Sequence, residues 1–194
     1  MQENEKKMDR RVRKTRKQLL IALTSLMETK DIKNISVKEL TDLADMNRGT
    51  FYLHYKDVFH MVEQIENEFL QELTLILDRT FPAESLPVPL DVLSNIFSFL
   101  EENCEMCAAL LGPHGDMPFF NKTTGLVEKY ILNCWHKMNY PKEDFHYYFS
   151  FIIAGCIGMM REWVSNGFKE SSDELARLAN DMVLSSLRLF QKDI

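Results

Sequence analysis

The sequence predicts an all-α protein, and two observations carry that prediction. Apolar residues recur at helical spacing along most of the 194 residues, without the regular alternation of polar and apolar residues that marks strands. Ser36 with Glu39, and Ser171 with Glu174, have the S-x-x-E spacing of a helix capping box. We therefore expect a small N-terminal domain over residues 9–57 and a larger helical domain over residues 58–194.

Charge is distributed unevenly between the two parts of the chain. The net charge is −6, but residues 1–60 hold 13 Lys/Arg against 9 Asp/Glu, whereas residues 61–194 hold 10 against 20. The balances are therefore +4 and −10. A basic first part attracts phosphate, and an acidic second part is unsuited to nucleic acid.

The first predicted helix begins at Asp9 and is amphipathic. Basic residues fill its first turns, and an apolar stripe follows between Leu19 and Met27. Such a charge run is most often a solvated face, but phosphate contact is favoured where a nucleic-acid motif lies next to it. We expect residues 1–8 to be mobile.

Two short helices follow, joined by a tight turn. Ser36 is the predicted cap of the first, and Asn47 is the predicted cap of the second, which spans residues 48–55. The apolar positions of the first helix are Val37, Leu40, Leu43 and Ala44. This arrangement matches the helix-turn-helix motif, which places its second helix in the major groove of DNA.

The side chains of the helix over residues 48–55 suit that role. Phe51 and Tyr55 should face the helix before it, leaving a polar side exposed. Arginine can donate two hydrogen bonds to guanine, and threonine, tyrosine and histidine can contact bases or phosphates. Glycine near a helix start costs up to about 1 kcal/mol relative to alanine, so a physical use for it should be sought. The usual one is that glycine lets the backbone approach another surface closely. The polar positions are Arg48, Gly49, Thr50, Tyr52 and His54. An ordinary helical hairpin with a solvated polar face is the alternative.

Residues 10–65 resemble the N-terminal domain of TetR-type bacterial transcriptional regulators. The most specific part is Asn-Arg-Gly-Thr-Phe-Tyr-Leu-His-Tyr-Lys, residues 47–56. The resemblance implies operator base contacts from Arg48, Gly49 and Thr50. It implies phosphate contacts from Thr15, Arg16, Ser36, Tyr52, His54 and Lys56.

Two positions depart from the family pattern. Asp45 stands where glycine is usual in the turn, and Asp enters the left-handed region more easily than most residues. Val58 stands where a phosphate-contacting lysine is common. The second departure keeps an alternative open, a helical partner-binding protein whose DNA recognition has decayed.

Five further helices are predicted in the larger domain. Asp57 should cap the fourth helix of the chain, and a proline-rich break over residues 81–89 ends it. The next helices are predicted over residues 91–111, 119–138, 142–166 and from 171 onward. The loop over residues 112–118 resembles one in the C-terminal domain of a TetR subgroup common in Firmicutes.

The last two predicted helices favour a homodimer. The helix over residues 142–166 is apolar on nearly every side, and the last helix also has an apolar stripe. Two copies would form a four-helix bundle, whereas closing the monomer core is the alternative. The family resemblance favours the dimer, bound to a palindromic operator in double-stranded DNA.

The resemblance also implies a repressor released by a small-molecule effector. The effector, the operator and the choice between repression and activation are not determined by the sequence. Aromatic and methionine positions at helical spacing are most often core, but some can line a pocket. The candidates are Phe97, Leu100, Phe119, Phe120, Trp135, Tyr148, Phe149 and Met159.

No catalytic, cofactor or metal motif stands out. Cys104 and Cys107 form a C-x-x-C without a second pair, so we expect partly buried thiols rather than a metal or redox site. We find no nucleophile elbow and no phosphate loop, which ranks an enzyme last. The charged N-terminus lacks a secretory signal pattern, and we expect a cytoplasmic protein without a membrane span.

Overall fold

The all-α fold predicted from the sequence is confirmed. The computed structural model describes residues 2–81, 88–111, 117–138 and 143–188, and every regular element in these ranges is helical. The α-helices are α1 (Gln2–Met27), α2 (Val37–Leu43), α3 (Arg48–Tyr52), α4 (Val58–Thr80), α5 (Pro89–Glu102), α6 (Cys104–Leu111), α7 (Met117–Lys137), α8 (Phe145–Ser165) and α9 (Ser172–Leu187). A short 3-10 turn, Ile32–Asn34, lies between α1 and α2.

Contacts divide the chain into two compact units. We call them the head, Met1–Glu68 with Glu105–Met117, and the body, Phe69–Cys104 with Pro118–Ile194. Most of α6 therefore belongs to the head. There the Thr24 hydroxyl donates to the carbonyl oxygen of Glu105 at 2.8 Å, and the Lys17 ammonium lies 3.3 Å from the Glu105 carboxylate. The domain boundary predicted after residue 57 stays a prediction.

Four predicted helix boundaries are wrong, one of them the start of the helix predicted over residues 142–166, which begins at Phe145. The first helix begins at Gln2 rather than Asp9. Glutamine, glutamate and lysine have high helix propensity, so they extend the helix even where it has no apolar stripe. The third helix ends at Tyr52 rather than residue 55. The helix predicted over residues 91–111 is two helices, interrupted at Asn103, whose side-chain amide donates to the carbonyl oxygen of Phe99 at 2.9 Å. Such local bonds compete with the helix ladder.

Side-chain caps fix the helices of the head where the sequence predicts them. The Ser36 hydroxyl accepts from the Glu39 amide at 3.2 Å, and the Glu39 carboxylate accepts from the Ser36 amide at 3.1 Å. Asp57 caps α4 by accepting from the His60 amide at 2.7 Å. Asp45 has a φ of 51°, so it occupies the left-handed region expected for the turn.

Aromatic residues dominate the core of the body. Trp135, Trp163, Phe97 and Phe119 are almost fully buried. The Trp163 indole donates to the carbonyl oxygen of Glu170 at 2.8 Å, which satisfies its polar atom. α9 packs against α5 and begins with the predicted second capping box, at Ser171 and Glu174.

Within the described ranges, no helix is both long and apolar enough to cross a membrane. Four segments of the sequence analysis fall wholly or partly outside those ranges. They are the proline-rich break, whose residues 82–87 are not described, the loop at residues 112–116, the Tyr140-Pro141 segment, and the predicted start of the seventh helix at residue 142.

The capping box of α2 predicts an acid-sensitive contribution to stability. Hydrogen bonds from Lys30, at 2.6 Å, and from Ser36 lower the pKa of Glu39 from 4.5 to about 2. Because the unfolded chain protonates this carboxylate near pH 4.5, the stabilisation is complete above that pH and is lost as the pH falls towards 2. The difference in free energy of unfolding between wild type and Glu39→Gln should therefore shrink from pH 5.5 to pH 2.5.

Denaturant unfolding of the full chain, followed by circular dichroism at several pH values, measures this difference. Glu63→Gln, at an exposed position of α4, is the control. A gap between wild type and Glu39→Gln that stays constant over this pH range would contradict the assignment.

Candidate nucleic-acid interface and body cavity

Two buried aromatic rings orient α3. Phe51 is fully buried and Tyr55 is 3% exposed, with their ring centroids 5.5 Å apart. The opposite side of the helix faces solvent, so that Arg48 and Gly49 are exposed and Tyr52 is 58% exposed. The division of this helix into a buried and a polar side, predicted from the sequence, is confirmed.

Asn47 starts α3 and lies against Gly49. The Asn47 side-chain oxygen accepts a hydrogen bond from the Gly49 amide at 2.8 Å. A Cβ atom on Gly49 would lie 3.3 Å from this oxygen and would meet no other atom within 4 Å, apart from its chain neighbours and the helix backbone. A Cβ atom on Gly49 would therefore be tight only against the Asn47 side chain. Close approach of the backbone at Gly49 to another surface stays a prediction.

The predicted phosphate-contacting residues differ in their surroundings. Lys56 is exposed, and His54 is half-buried beside Tyr55. Ser36 is exposed, but its hydroxyl already donates to the Glu39 carboxylate at 2.9 Å and accepts from the Glu39 amide. Its hydroxyl would have to exchange one of these bonds to contact phosphate.

Thr15 and Arg16 are engaged within the head. Thr15 is 9% exposed. The Arg16 guanidinium donates to both carboxylate oxygens of Glu68, each at 2.5 Å, and this bond raises the pKa of Arg16. Tyr55, whose pKa is raised by burial, also bonds to Arg16. The phosphate roles of Thr15 and Arg16 stay predictions.

Val58 has a packing role in the head. Its side chain is 3% exposed at the first position of α4. A lysine there would place an ammonium group where this apolar side chain is buried, which is costly without a partner. Packing in the head core gives a physical reason for valine at this position, and decayed DNA recognition stays an alternative.

A largely apolar cavity of about 380 Å³ lies in the body. It is formed by the residue that follows α4, the start of α5, α7, the first half of α8 and the end of α9. Its lining residues are Phe81, Pro89, Val92, Leu93, Ile131, Cys134, Trp135, Met138, Tyr148, Phe149, Ile152, Val183, Leu184, Leu187 and Arg188.

Three of the eight predicted pocket residues line this cavity, namely Trp135, Tyr148 and Phe149. The others do not. Phe97 packs on Trp163 with a ring-centroid distance of 6.0 Å. Phe119 packs on Phe69 at 5.4 Å. Leu100 is buried, whereas Phe120 and Met159 are half-buried.

Sequence reasoning missed the cavity residues at the ends of helices. Phe81 directly follows α4, Pro89 starts α5, and Leu187 and Arg188 lie at the end of α9. The proline-rich break was a usable signal, because helix ends that flank a break can frame a void. Burial raises the pKa of Cys134, so this residue contributes a neutral thiol to the wall.

An apolar face of α8 and α9 remains open to solvent. Tyr147 is 82% exposed and Phe151 is 69% exposed, and Met182 on α9 is 54% exposed. A Cβ atom on Gly155 or Gly158 would meet no atom within 4 Å. Exposed aromatic residues beside glycines at helical spacing are typical of a surface that another helix covers.

The four cysteines are free thiols. Cys104 is half-buried and Cys107 is buried. Among the described residues, no group of three His, Cys, Asp or Glu side chains could hold a metal ion.

Comparison with known families identifies the second half of the chain. A TetR-type family model, described as the C-terminal region of a transcriptional regulator, matches residues 89–185, which is half of the sequence. A stretch of 52 residues of the chain is similar to the HTH-type transcriptional regulator YxbF of Bacillus subtilis (strain 168), at 35% identity. These residues are 27% of this chain and only 14% of YxbF.

Solved structures share the fold over most of the chain. The fatty acid degradation regulator FadR from Bacillus halodurans superposes with a TM-score of 0.66 at 14% identity, covering 90% of this chain and 96% of FadR. SmeT, the repressor of the Stenotrophomonas maltophilia multidrug efflux pump SmeDEF, gives a TM-score of 0.59 at 15% identity, covering 88% and 89%. At these identities the likeness concerns the fold alone.

The surroundings of Gly49 predict that a methyl group at this position weakens DNA binding without changing the stability of the fold much. In Gly49→Ala, the higher helix propensity of alanine stabilises the fold by about 1 kcal/mol. The energy needed to displace the Asn47 side chain slightly offsets this gain. We expect a free energy of unfolding within about 1 kcal/mol of wild type, and weaker binding to duplex DNA by roughly 1–3 kcal/mol, the worth of one good base contact.

Denaturant unfolding and fluorescence anisotropy with selected duplex DNA measure the two effects. Gly125→Ala is the control, because Gly125 is also helical and a Cβ atom there would meet nothing within 4 Å. Unchanged DNA affinity in Gly49→Ala would show that the backbone at this position does not approach DNA.

Proposed function

The chain belongs to the TetR family of transcriptional regulators, and from that premise we propose that it is a homodimeric DNA-binding repressor released from its operator by a small molecule. The observation that carries this proposal is the exposed polar side of α3, held outward by the burial of Phe51 and Tyr55. A helix presented in this way can enter the major groove.

The first turn of α3 would contact bases. Arg48 is exposed, and a guanidinium can donate two hydrogen bonds to guanine. Gly49 lets the backbone approach the base edges, and half-buried Thr50 offers a hydroxyl and a methyl group. Tyr52 and Lys56 lie at exposed positions from which they would bind phosphate and set the position of the head.

The open face of α8 and α9 supports assembly with a second copy of the chain. In a two-fold symmetric pair, Phe151 and Met182 would be covered by the same face of the partner. The absence of atoms near Gly155 and Gly158 leaves room for a closely packed helix. Pairing would place two α3 helices at the fixed spacing that a palindromic operator requires.

The cavity in the body supports effector control. SmeT, a structural neighbour, is known in complex with triclosan. In this chain, Phe81 lines the cavity directly after α4, and its ring lies 5.4 Å from that of Tyr130. The Tyr130 hydroxyl donates to the Asp78 carboxylate of α4 at 2.5 Å. A ligand that displaces Phe81 would act on the helix that continues to Val58.

Such a ligand releases DNA by preferring one of two states. Its effect on DNA affinity equals its difference in affinity between the state that fits the operator and the state that does not. A molecule that binds both states equally would occupy the cavity without changing DNA binding.

Selection of bound sequences from random duplex DNA tests the proposed recognition. Arg48→Ala should relax base preference at one position of each half-site, by about 1–3 kcal/mol of discrimination, whereas Tyr52→Ala should weaken binding to all sequences by a similar factor. Anisotropy titrations with the selected duplex and with single-base variants measure both effects.

Arg79→Ala serves as the control, because it removes an exposed arginine from the body part of α4. Unchanged base preference in Arg48→Ala would remove its assigned role. Absence of binding by wild type at low ionic strength would refute DNA recognition as a whole.

A single negative charge on the open face of α8 and α9 should dissociate the proposed dimer into monomers. Phe151→Glu would bury an unpaired carboxylate between the two copies, which costs several kcal/mol. We expect wild type to sediment with about twice the chain mass of 22.8 kDa and Phe151→Glu to sediment as a monomer.

Leu75→Glu provides the matched control, since Leu75 is a 54% exposed leucine on α4. It should remain dimeric in the same analytical ultracentrifugation experiment. A Phe151→Glu protein that stays folded and dimeric would place the interface elsewhere.

A further inference from the structure

The only charge among the lining residues of the cavity is positive. Fourteen of the fifteen lining residues carry no charge, and the fifteenth is Arg188. No carboxylate is present among these lining residues, although the second part of the chain is strongly acidic. A molecule seated in the cavity would therefore meet an apolar wall with one guanidinium at its edge.

Arg188 is an exposed residue at the end of α9 and makes no ion pair with any described residue. Arg16 and Lys30, by contrast, are held in ion pairs with Glu68 and Glu39. A guanidinium presents its donors in a planar fork that matches a carboxylate, and it recognises this group better than an ammonium does.

Aromatic rings form much of the apolar part of the wall. The rings of Trp135 and Tyr148 lie with centroids 4.9 Å apart, and Phe145 and Phe149 pack in the same cluster. Branched side chains from three helices complete the wall, including Ile131, Ile152 and Leu187. This wall favours a hydrocarbon chain or a ring and offers little to a polar ligand.

We propose that the cavity binds apolar monocarboxylates, with the hydrocarbon against Trp135, Tyr148 and Phe149 and the carboxylate on Arg188. The volume of about 380 Å³ lies near the lower end of the roughly 300–1,000 Å³ common for ligand pockets, which selects compact molecules. One guanidinium compensates one negative charge, so a dianion would remain partly unpaired and a cation would be repelled.

The inference that these carboxylates are effectors rests on the proposed function. The inference that they bind in the cavity does not depend on DNA binding. Occupation of the cavity would press on Phe81 beside α4, and the resulting change in DNA affinity is a separate measurement. Binding is therefore measured without DNA.

Isothermal titration of the 194-residue chain with matched pairs of compounds tests the proposal. The pairs are octanoate with octanamide and 4-phenylbutanoate with 4-phenylbutanamide, and octylammonium is the cationic probe. We expect at least one carboxylate to bind about three- to tenfold more tightly than its amide, because the added hydrogen bonds to a charged group are worth about that factor.

Arg188→Gln should abolish the preference for the carboxylate and leave the affinity for the amide unchanged. Arg79→Gln, which removes an arginine two residues from Phe81 but outside the lining, should keep the preference. Quenching or enhancement of tryptophan fluorescence should accompany binding, since Trp135 lines the cavity.

The proposal is overturned if neither carboxylate exceeds its amide, if octylammonium binds more tightly than octanoate, or if Arg188→Gln retains the preference. A protein that binds its selected duplex but no carboxylate would leave the proposed regulator standing without this ligand class. If the protein bound carboxylates through Arg188 but did not bind DNA, the ligand site would stand and the proposed DNA-binding function would fail.

Discussion

Burial of two aromatic rings is the constraint on which the head depends. α3 has only five residues, too few to hold a helix or its orientation in isolation. Phe51 and Tyr55 pack into the head and fix the rotation of α3 about its axis. The exposure of Arg48, Gly49 and Tyr52 on one side is a direct result. The Asn47 cap adds the second restraint, because it sets where the helix starts.

Local interactions between residues that are close in sequence are the features of the head that can be predicted from the sequence. Caps at Ser36 and Asn47 follow from side-chain oxygens two or three residues before an unpaired amide, so local spacing reveals them. Arg16 and Glu68 are 52 residues apart, and no local pattern joins them. The sequence therefore indicated a basic helix face without showing that one of its cations is held internally.

The cavity was harder to predict for a related reason. Apolar spacing shows that a side chain is buried, but a packed core and the wall of a void bury the same residue types. Phe97 and Trp135 were equivalent candidates, yet Phe97 packs on Trp163 whereas Trp135 lines the cavity. Arg188, to which we assign the carboxylate of a bound ligand in our proposal, lies at a helix end, where helical periodicity carries little information.

The uncovered side of α8 and α9 also links the molecule's assembly to its abundance. Tyr147 and Phe151 cost free energy for as long as water contacts them, so under the proposed pairing each chain gains stability from a second copy. Mass action then makes the active species scale with the square of the free chain concentration. At concentrations where most chains are unpaired, dilution would therefore lower the amount of paired protein more steeply than the amount of chain.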